Sequence, residues 1–286
     1  MSVDPVAHRK QIEKFISRMP SLSTTVGKVM EICSRADASP NELNKVISLD
    51  PVLTGQVLKL INSAYYSLVN KVTSLTRAIT MLGLNTVKNM ALSTAIIKTV
   101  AGVKKSRVLP VSHFWAHSIS VGVSAKLLAQ SKDIPVMERE EFFIAGLLHD
   151  LGKIPYGDEY AEVIRVAGAE QVPLIDVERE LLGIDHQEVG LLIADKWKLN
   201  EAISQCIGFH HNPQSSRDTV RRQTAFVALG NIYSNIYDIG YAGDIYPAEQ
   251  TLNHLLAMTG LDWQEFVTIR TNIEAEIEKA QIFLQI

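Results

Sequence analysis

Apolar residues recur every three or four positions along most of this chain, and strict apolar–polar alternation is scarce. A repeat of this length places apolar side chains on one face of an α-helix, whereas alternation would indicate a β-strand. Gly and Pro fall between the periodic segments, where helices are expected to begin or end. The pattern therefore predicts an all-α fold.

Helix-start signals mark the first half of the chain. Ser39-Pro40-Asn41-Glu42 combines an N-cap serine, a proline at the first helical position and a glutamate that completes a capping box. Asp50-Pro51 repeats the N-cap and the proline for a second helix. Ser74 is predicted to cap a third helix that ends at Gly83, and Asn85 to cap the helix after it.

The segment from Gly102 to Pro110 is polar and basic, which makes it the best candidate for a linker. We expect it to separate an N-terminal helical subdomain, residues 8–105, from a second helical subdomain, residues 111–286. In the second half the pattern predicts helices over residues 112–131, 136–150, 158–168, 174–182, 186–197, 200–210, 218–237, 248–258 and 262–284.

The 286 residues carry a formal net charge of −3, and the charges are spread along the chain. This balance gives no global attraction to nucleic acid, so no direct nucleic-acid partner is expected. No uncharged apolar run approaches the roughly 20 residues of a membrane span, and the N-terminal region lacks a signal-peptide core. Cys33 and Cys206 show no CxxC spacing and predict two reduced, buried thiols. The expectation is a cytoplasmic protein without a membrane partner.

The stretch with the most evident chemistry is His149-Asp150-Leu151-Gly152-Lys153-Ile154-Pro155, which follows an apolar run. Burying an imidazole and a carboxylate without partners would be costly, and a metal ion would remove that cost. Neutral imidazole and ionised carboxylate suit Fe, Mn, Zn or Ni, and a carboxylate can bridge two ions. We therefore predict one or two transition-metal ions. Further candidate ligands from the same half are His117, His186, His210 and His211.

Two alternatives remain open at the level of the sequence. The histidines could form an internally hydrogen-bonded polar cluster without metal. His113 lies one helical turn before His117 and could be either an extra ligand or a solvent-exposed residue at the start of a helix.

Three segments in order resemble the HDOD family: Met19-Pro20-Ser21-Leu22, the stretch from Asp50-Pro51 to Asn62-Ser63-Ala64, and Ala78-Ile79 with Leu82-Gly83. HDOD modules are helical output domains of bacterial signalling proteins, related to the HD-superfamily phosphohydrolases. The resemblance covers about residues 15–215. It implies an all-α fold in which an N-terminal helical subdomain packs on an HD-type helical core in the C-terminal half. The activity of the family is poorly defined, and many members are thought to have lost the catalytic residues.

The order of the histidines resembles the metal-ligand order of the HD superfamily, especially its binuclear branch. Carried over to this chain, the resemblance implies Asp150 as the carboxylate that bridges two ions and Lys153 as the lysine that faces a phosphate oxygen, which makes these two the candidate catalytic residues. The implied first metal site is His117, His149 and Asp150, and the second is completed by His186, His210 and His211.

Two positions depart from the superfamily pattern. Asn231 stands where a later helix usually supplies an aspartate ligand, and an amide coordinates more weakly and carries no charge. After His211 the chain continues as Asn212-Pro213-Gln214-Ser215-Ser216, without the Gly-Tyr-Pro loop of the binuclear diesterases. Cyclic-dinucleotide hydrolysis of that type is therefore not supported.

Outside the histidine pattern, the polar Asn62-Ser63 pair is interpreted as a helix end that satisfies neighbouring backbone groups, with ligand contact as the alternative. Trp115, Trp197 and Trp263 are expected to pack in cores. The C-terminal helix carries an apolar stripe that either closes the core or forms a homodimer contact. The stripe consists of Phe266, Ile269, Ile273, Ile277 and Ala280.

The function predicted from these features is a bacterial signal-transduction output module of the HDOD type that retains an HD-like metal site. Its expected partner is a signalling protein or a small phosphorylated ligand. The alternative is an active metal-dependent phosphohydrolase, acting on a phosphomonoester or a phosphodiester. A weaker alternative is a sensor in which the metal reports redox state or oxygen.

Overall fold

A computed structural model of the chain describes residues 5–35, 37–101, 107–244 and 249–285. Within these ranges every regular element is a helix, which confirms the all-α prediction. The helices of the first half are α1 (Pro5–Arg18), α2 (Thr24–Ser34), α3 (Pro40–Ser48), α4 (Pro51–Ile61), α5 (Leu75–Leu82) and α6 (Leu84–Ala101).

The predicted linker lies between the two halves, and its residues 102–106 are outside the described ranges. The division into subdomains at this point stays a prediction. The helices of the second half are α7 (Val111–Ser131), α8 (Val136–Leu148), α9 (Tyr160–Glu170), α10 (Leu174–Leu182), α11 (His186–Lys196), α12 (Glu201–Phe209), α13 (Asp218–Ile236), α14 (Glu249–Thr259), α15 (Trp263–Thr268) and α16 (Arg270–Ala280). Short 3₁₀ segments occupy Leu151–Glu159, Pro213–Ser215 and Gln281–Leu284.

Three of the predicted N-caps form as expected. The Ser39 hydroxyl accepts from the backbone N–H of Glu42 at 3.2 Å, and the Glu42 carboxylate accepts from the backbone N–H of Ser39 at 3.2 Å, which completes the capping box. Asp50 accepts from the N–H of Leu53 at 2.9 Å, and Ser74 caps α5. These contacts are local in sequence, which is why the residue pattern alone predicts them.

The prediction that Asn85 caps α6 is wrong. Gly83 adopts φ 83° and ends α5, so α6 begins at the very next residue, Leu84. Asn85 therefore lies inside the first turn, where its side chain accepts a hydrogen bond from Lys88 Nζ at 3.2 Å. A left-handed glycine allows this one-residue junction between two helices because it carries no side chain.

Helix α7 lies at the centre of the second half, packed between α8 and α13. It crosses α8 closely at Gly122 and Gly146, where a Cβ on Gly146 would lie 2.7 Å from the Gly122 Cα. Only glycine fits such a contact, because a methyl group at this distance would overlap the facing backbone. This close crossing brings the face of α7 that carries His117 next to the end of α8.

One continuous apolar core joins the described parts of both halves. The ring of Tyr65, just after α4, packs 5.2 Å from that of Phe143 in α8 and 5.3 Å from that of Phe283. Asn62 ends α4 as interpreted from the sequence: its amide bonds both the N–H and the C=O of Val72, at 2.7 and 2.8 Å. The Asn62 side chain thus satisfies backbone groups.

The C-terminal stripe closes the core, although not as the single helix predicted over residues 262–284. A new capping box at Asp262 and Glu265 starts α15, and the chain then changes direction before α16. Both short helices contact α7. Phe266 and Ile273 are buried there, so the break allows the stripe to follow the surface of α7.

Two predictions about burial need correction. Trp263, expected in the core, is 56% exposed, because it occupies the first position of α15 and only one edge reaches Phe266. Trp115 and Trp197 are buried as predicted. Cys33 is only partly buried, whereas Cys206 is buried, and both thiols are free. Among the helices that the structure describes, none is long and apolar enough to cross a lipid bilayer.

Candidate metal centre

The end of α8 delivers the first two polar groups into the core. The helix ends at Leu148, and His149 and Asp150 follow it with no exposed surface. The 3₁₀ segment after them passes very close to the start of α11, because a Cβ on Gly152 would lie 1.8 Å from the carbonyl oxygen of His186. A glycine at position 152 therefore permits the approach that places Asp150 beside His186.

The remaining histidines reach the same place from three other helices. His117 is buried in α7, and His186 is the first residue of α11, whose N-cap Asp185 accepts from the N–H of Glu188 at 2.9 Å. His210 caps the C-terminus of α12, and His211 follows it. Helix ends thus supply most of the site, since side chains there can point into a space that a continuous helix would fill.

Six side chains form two neighbouring clusters. Within each cluster, the candidate ligand atoms all lie within 4.8 Å of one another. The clusters are His117, His149 and Asp150, and His186, His210 and His211. These are the two sets that the resemblance implied from the sequence. Their role as metal ligands stays a prediction, while their convergence is an observation.

Asp150 connects the two clusters. Its Oδ2 lies 3.3 Å from His149 Nε2 and 3.7 Å from His117 Nε2. Its Oδ1 lies 3.6 Å from the Nε2 atoms of both His186 and His210. Each oxygen therefore faces a different cluster, which is the arrangement of a carboxylate able to bridge two ions.

In His149, His186 and His210, the ring nitrogen that points away from the centre donates a hydrogen bond to an acceptor. Nδ1 of His149 donates to the carbonyl of Gly146 at 2.7 Å, and Nδ1 of His210 donates to the carbonyl of Ile207 at 3.0 Å. A carbonyl can only accept, so in a neutral imidazole the hydrogen sits on Nδ1 and Nε2 presents its lone pair to the centre. This orientation is typical of metal-binding histidines.

Glu178, in α10, anchors His186 and was missed in the sequence analysis. Its Oε2 accepts from His186 Nδ1 at 2.7 Å and from the His186 backbone N–H at 2.8 Å, while Oε1 accepts from the Tyr160 hydroxyl. One sequence signal pointed to it: Glu178 interrupts the apolar face of α10 between Leu174 and Leu182. A charged residue at such a position usually has a buried partner.

Several buried polar atoms of the site have no hydrogen-bond partner in the described part of the protein. His117 Nε2, His149 Nε2 and Asp150 Oδ1 are buried and have no hydrogen-bond partner. In the second cluster, His186 Nε2 lies 3.2 Å from His210 Nε2, so two lone pairs face each other, and His211 Nε2 lies 3.1 Å from His186 Nε2. Buried polar atoms are rarely left in this state, and a cation in each cluster would satisfy them. The donor set therefore fits transition-metal ions.

The electrostatics favour the ligating forms of these groups. Burial lowers the pKa of His117 and of His210 to about 3, and it lowers the pKa of His211 well below its usual range. Burial opposes ionisation of Asp150, yet His149 and Lys153 hold its pKa well below the usual range. Neutral imidazoles around an ionised carboxylate are what a divalent cation binds.

Lys153, the other predicted catalytic residue, is buried and donates from Nζ to Asp150 Oδ2 at 2.8 Å. Asn231, on α13, is buried next to His117 of the first cluster, at the position where the departure from the family pattern was predicted. His113 is exposed, which favours the solvent interpretation for it. His8 and His254 lie elsewhere and bond to Glu159 and Gln214.

A cavity of about 250 Å³ opens onto the second cluster. His210, His211 and Asn231 form its floor together with Asn235 and Asp244. Burial raises the pKa of Asp244, an effect that the charge of Lys153 opposes. A small polar molecule in this cavity would lie directly against the histidines.

The family model of the HDOD domain matches residues 19–213. This chain belongs to the HDOD domain family. The match agrees with the range of about 15–215 expected from the sequence, and it includes both histidine clusters. Asn231 and Asp244 lie beyond its C-terminal end.

Comparisons that cover most of this chain agree with this family assignment. An uncharacterized protein of Treponema pallidum (strain Nichols) is 23% identical over 270 residues, which is 91% of this chain and 51% of that protein. The chain thus spans about half the length of this curated relative. An HDOD domain protein of unknown function from Geobacter sulfurreducens has the same fold, with a TM-score of 0.77, 24% identity and coverage of 99% of this chain and 100% of that one.

A second solved structure with the same fold comes from Shewanella amazonensis SB2B and is named as a candidate phosphohydrolase. Its TM-score is 0.70 at 22% identity, with coverage of 96% of this chain and 98% of that one. At these identities the structures establish a shared fold. The chemistry of this chain has to be argued from its own residues.

Proposed function

We propose that this chain is a bacterial signal-transduction output module of the HDOD type that holds one or two transition-metal ions and binds a small phosphorylated ligand beside them. One observation carries the proposal: the two oxygens of Asp150 face two separate histidine clusters, with 3.3 Å to His149 Nε2 and 3.6 Å to His186 Nε2. Fe, Mn, Zn and Ni all suit this set of imidazole and carboxylate ligands.

The first step of the argument is energetic. Each buried polar atom without a partner costs about 1–3 kcal/mol, and the first cluster alone contains three such atoms. An ion bound there converts these costs into coordination bonds. The anchored Nδ1 atoms of His149, His186 and His210 hold the rings in the required orientation before any ion arrives.

The second step concerns the ligand. Asp150 is the single carboxylate among the two clusters, so divalent ions there would leave the centre positively charged. A phosphate group would neutralise that charge, and the 250 Å³ cavity gives it access to His210 and His211. Between the two partners expected from the sequence, a cavity of this small size favours a small phosphorylated ligand over a protein.

The third step separates binding from turnover. Asn231 supplies a neutral amide where an active relative has an aspartate, and this weakens the activation of water. Lys153 is directed at Asp150, at 2.8 Å, and is not part of the cavity wall in the described structure. Both features favour a module that binds its ligand over an enzyme that hydrolyses it.

Metal analysis of the full chain, purified without chelator, tests the proposal. We expect one or two transition-metal ions per chain, and binding of inorganic phosphate to that protein in calorimetry. Asp150→Ala should lose both while keeping its helical circular dichroism. Asp195→Ala, which removes an exposed carboxylate of α11 outside the cavity lining, should keep both. A metal-free wild-type protein that also fails to bind added Mn²⁺ or Zn²⁺ would reject the proposal.

A metal-dependent phosphohydrolase is the second candidate, favoured by the open access from the cavity to His210 and His211. In that case the protein loaded with Mn²⁺ or Fe²⁺ would turn over p-nitrophenyl phosphate or bis(p-nitrophenyl) phosphate steadily, and Asp150→Ala would abolish the turnover. Such a result would replace the output-module proposal. Metal binding and phosphate binding without turnover would support the output-module proposal.

A further inference from the structure

Asp244 is a buried carboxylate with one oxygen left unpaired. It follows α13 in the chain and lies beside the start of α10, because a Cβ on the preceding Gly243 would lie 3.3 Å from the Leu174 side chain. Its Oδ1 is buried and has no partner, and only 6% of the residue is exposed. Asp244 also lines the cavity that contains His210 and His211.

The backbone before Asp244 is fixed to the helix that carries the first cluster. The N–H of Tyr241 donates to the carbonyl of His113 at 3.0 Å. Gly240, at φ 71°, lies so close to α7 that a Cβ there would be 2.1 Å from the backbone nitrogen of His117. The segment 240–244 therefore approaches the centre through backbone contacts, and Asp244 ends it at the cavity.

Metal ions at this centre would leave an excess of positive charge, which a further carboxylate would reduce. Lys153 adds a positive charge next to Asp150, and Asn231 adds none. Two divalent ions held in such a buried place need more negative charge than Asp150 and the Glu178 carboxylate behind His186 provide. Asp244 lines the same cavity as His210 and His211, so it lies within reach of the centre.

We infer that Asp244 is a further carboxylate of this metal centre, besides Asp150 and Glu178, and that it compensates for the acid that Asn231 does not provide. The inference rests on the proposed function. Because Asp244 stands outside both clusters of ligand atoms, it acts as a positioning residue from the cavity side. It contributes a negative charge beside the ion that His186, His210 and His211 would hold.

A purely structural role, as a polar residue packed beside the start of α10, makes a different prediction. Asp244→Asn keeps the size and shape of the side chain while it removes the charge. Asp244→Glu keeps the charge. Asp176→Asn removes the charge of an exposed carboxylate from the rim of the same cavity and serves as the matched control.

The test titrates the metal-free full chain with Zn²⁺ and with Mn²⁺ against a chromophoric chelator, and it measures the number of ions and both dissociation constants. We expect Asp244→Asn to weaken the binding of the second ion by about 10–100-fold, which is the usual loss when a residue that supports metal ligands is mutated. Asp244→Glu should recover part of that loss, and Asp176→Asn should match the wild type.

Wild-type constants for both ions in Asp244→Asn would overturn the inference while leaving the proposed function intact. If the wild type bound neither ion, the proposed function and the inference would both fail. If Asp244→Asn did not fold, Asp244→Ser would take its place, and equal affinities in Asp244→Ser and wild type would overturn the inference in the same way.

Discussion

At the scale of single residues, hydrogen bonds orient three of the histidine rings of the candidate centre, those of His149, His186 and His210. Glu178 holds His186 through both its backbone N–H and its Nδ1, at 2.8 and 2.7 Å. The Tyr160 hydroxyl completes the arrangement by donating to the other oxygen of Glu178. Glu178 is fully buried, so it serves the interior and not the surface.

Glu178→Gln should weaken metal binding without unfolding the chain. Glutamine has the same shape, but its amide is a weaker acceptor and carries no charge to favour the ligating tautomer of His186. The affinity of the second cluster for Zn²⁺ should fall by about 10–100-fold in a chelator competition. Glu180→Gln, an exposed change on the same helix, is the control. Equal affinities in the two variants would contradict the role given to Glu178.

Protonation of the buried histidines should make the metal-free protein sensitive to acid. Burial lowers the pKa of His117 and His210 to about 3, compared with about 6.5 in an unfolded chain. Between these values the unfolded chain binds protons that the folded chain does not. The free energy of unfolding should therefore fall as the pH is lowered from about 6.5 towards 3, by up to about 1.4 kcal/mol per pH unit for each histidine.

Urea unfolding of the metal-free protein at several pH values measures this slope. His117→Gln should reduce the slope, because one of the contributing groups is gone. His113→Gln changes an exposed histidine on the same helix and should leave it unaltered. A His117→Gln variant with the full wild-type slope would show that His117 is not among the groups responsible.

At the scale of elements, the close crossing of α7 and α8 determines where the first cluster forms. A Cβ on Gly146 would lie 2.7 Å from the Gly122 Cα. His149 is three residues after Gly146 and donates to its carbonyl oxygen, so the crossing and the ligand belong to the same turn.

Gly146→Ala should therefore push the two helices apart. We expect a loss of about 1–3 kcal/mol in the free energy of unfolding, as for other overpacked contacts. Gly168→Ala is the matched control, because nothing lies within 4 Å of a Cβ at that position in α9. The control should gain about 0.5–1 kcal/mol from the better helix propensity of alanine. Urea denaturation compares the two, and an equal gain in both would contradict the close contact.

At the scale of the whole molecule, the two halves share a core and a polar network. Lys126 Nζ donates to the Tyr65 hydroxyl at 2.9 Å and pairs with Glu140 at 2.5 Å, and the Tyr66 hydroxyl donates to Glu140 at 3.2 Å. This network connects the end of α4 to α7 and α8, which carry His117 and His149 nearby. The two histidine clusters and the N-terminal helices are thus parts of one packed structure.

Metal removal should accordingly lower the stability of the whole fold. Ions that bind only the folded chain stabilise it by about 2.7 kcal/mol at a free concentration of 100 times the dissociation constant. Addition of EDTA should lower the melting temperature of the metal-loaded wild type by several degrees. Asp150→Ala should melt at the same temperature with and without EDTA. An unchanged wild-type melting temperature, in protein shown to lose its ions, would contradict this coupling.

Several features followed from the sequence because they depend on neighbouring residues. The capping box at Ser39 and Glu42 and the N-cap at Asp50 are contacts over three positions, so the local pattern was sufficient to predict them. The same holds for α10, whose predicted range of 174–182 matches Leu174–Leu182. The six candidate ligands were identified by residue type and order, and their convergence needed no further information than the family resemblance.

Other features were decided by the tertiary structure, because they depend on residues far apart in the chain. Glu178 and Asp244 acquire their significance only when α10 and the segment after α13 fold against the histidines. The C-terminal helix breaks before Arg270, and both of its parts pack on α7. Trp263 is exposed because it is the first residue of α15, before the residues that pack on α7. Local periodicity fixes which residues form helices, whereas burial, charge compensation and access to the centre arise only from long-range packing.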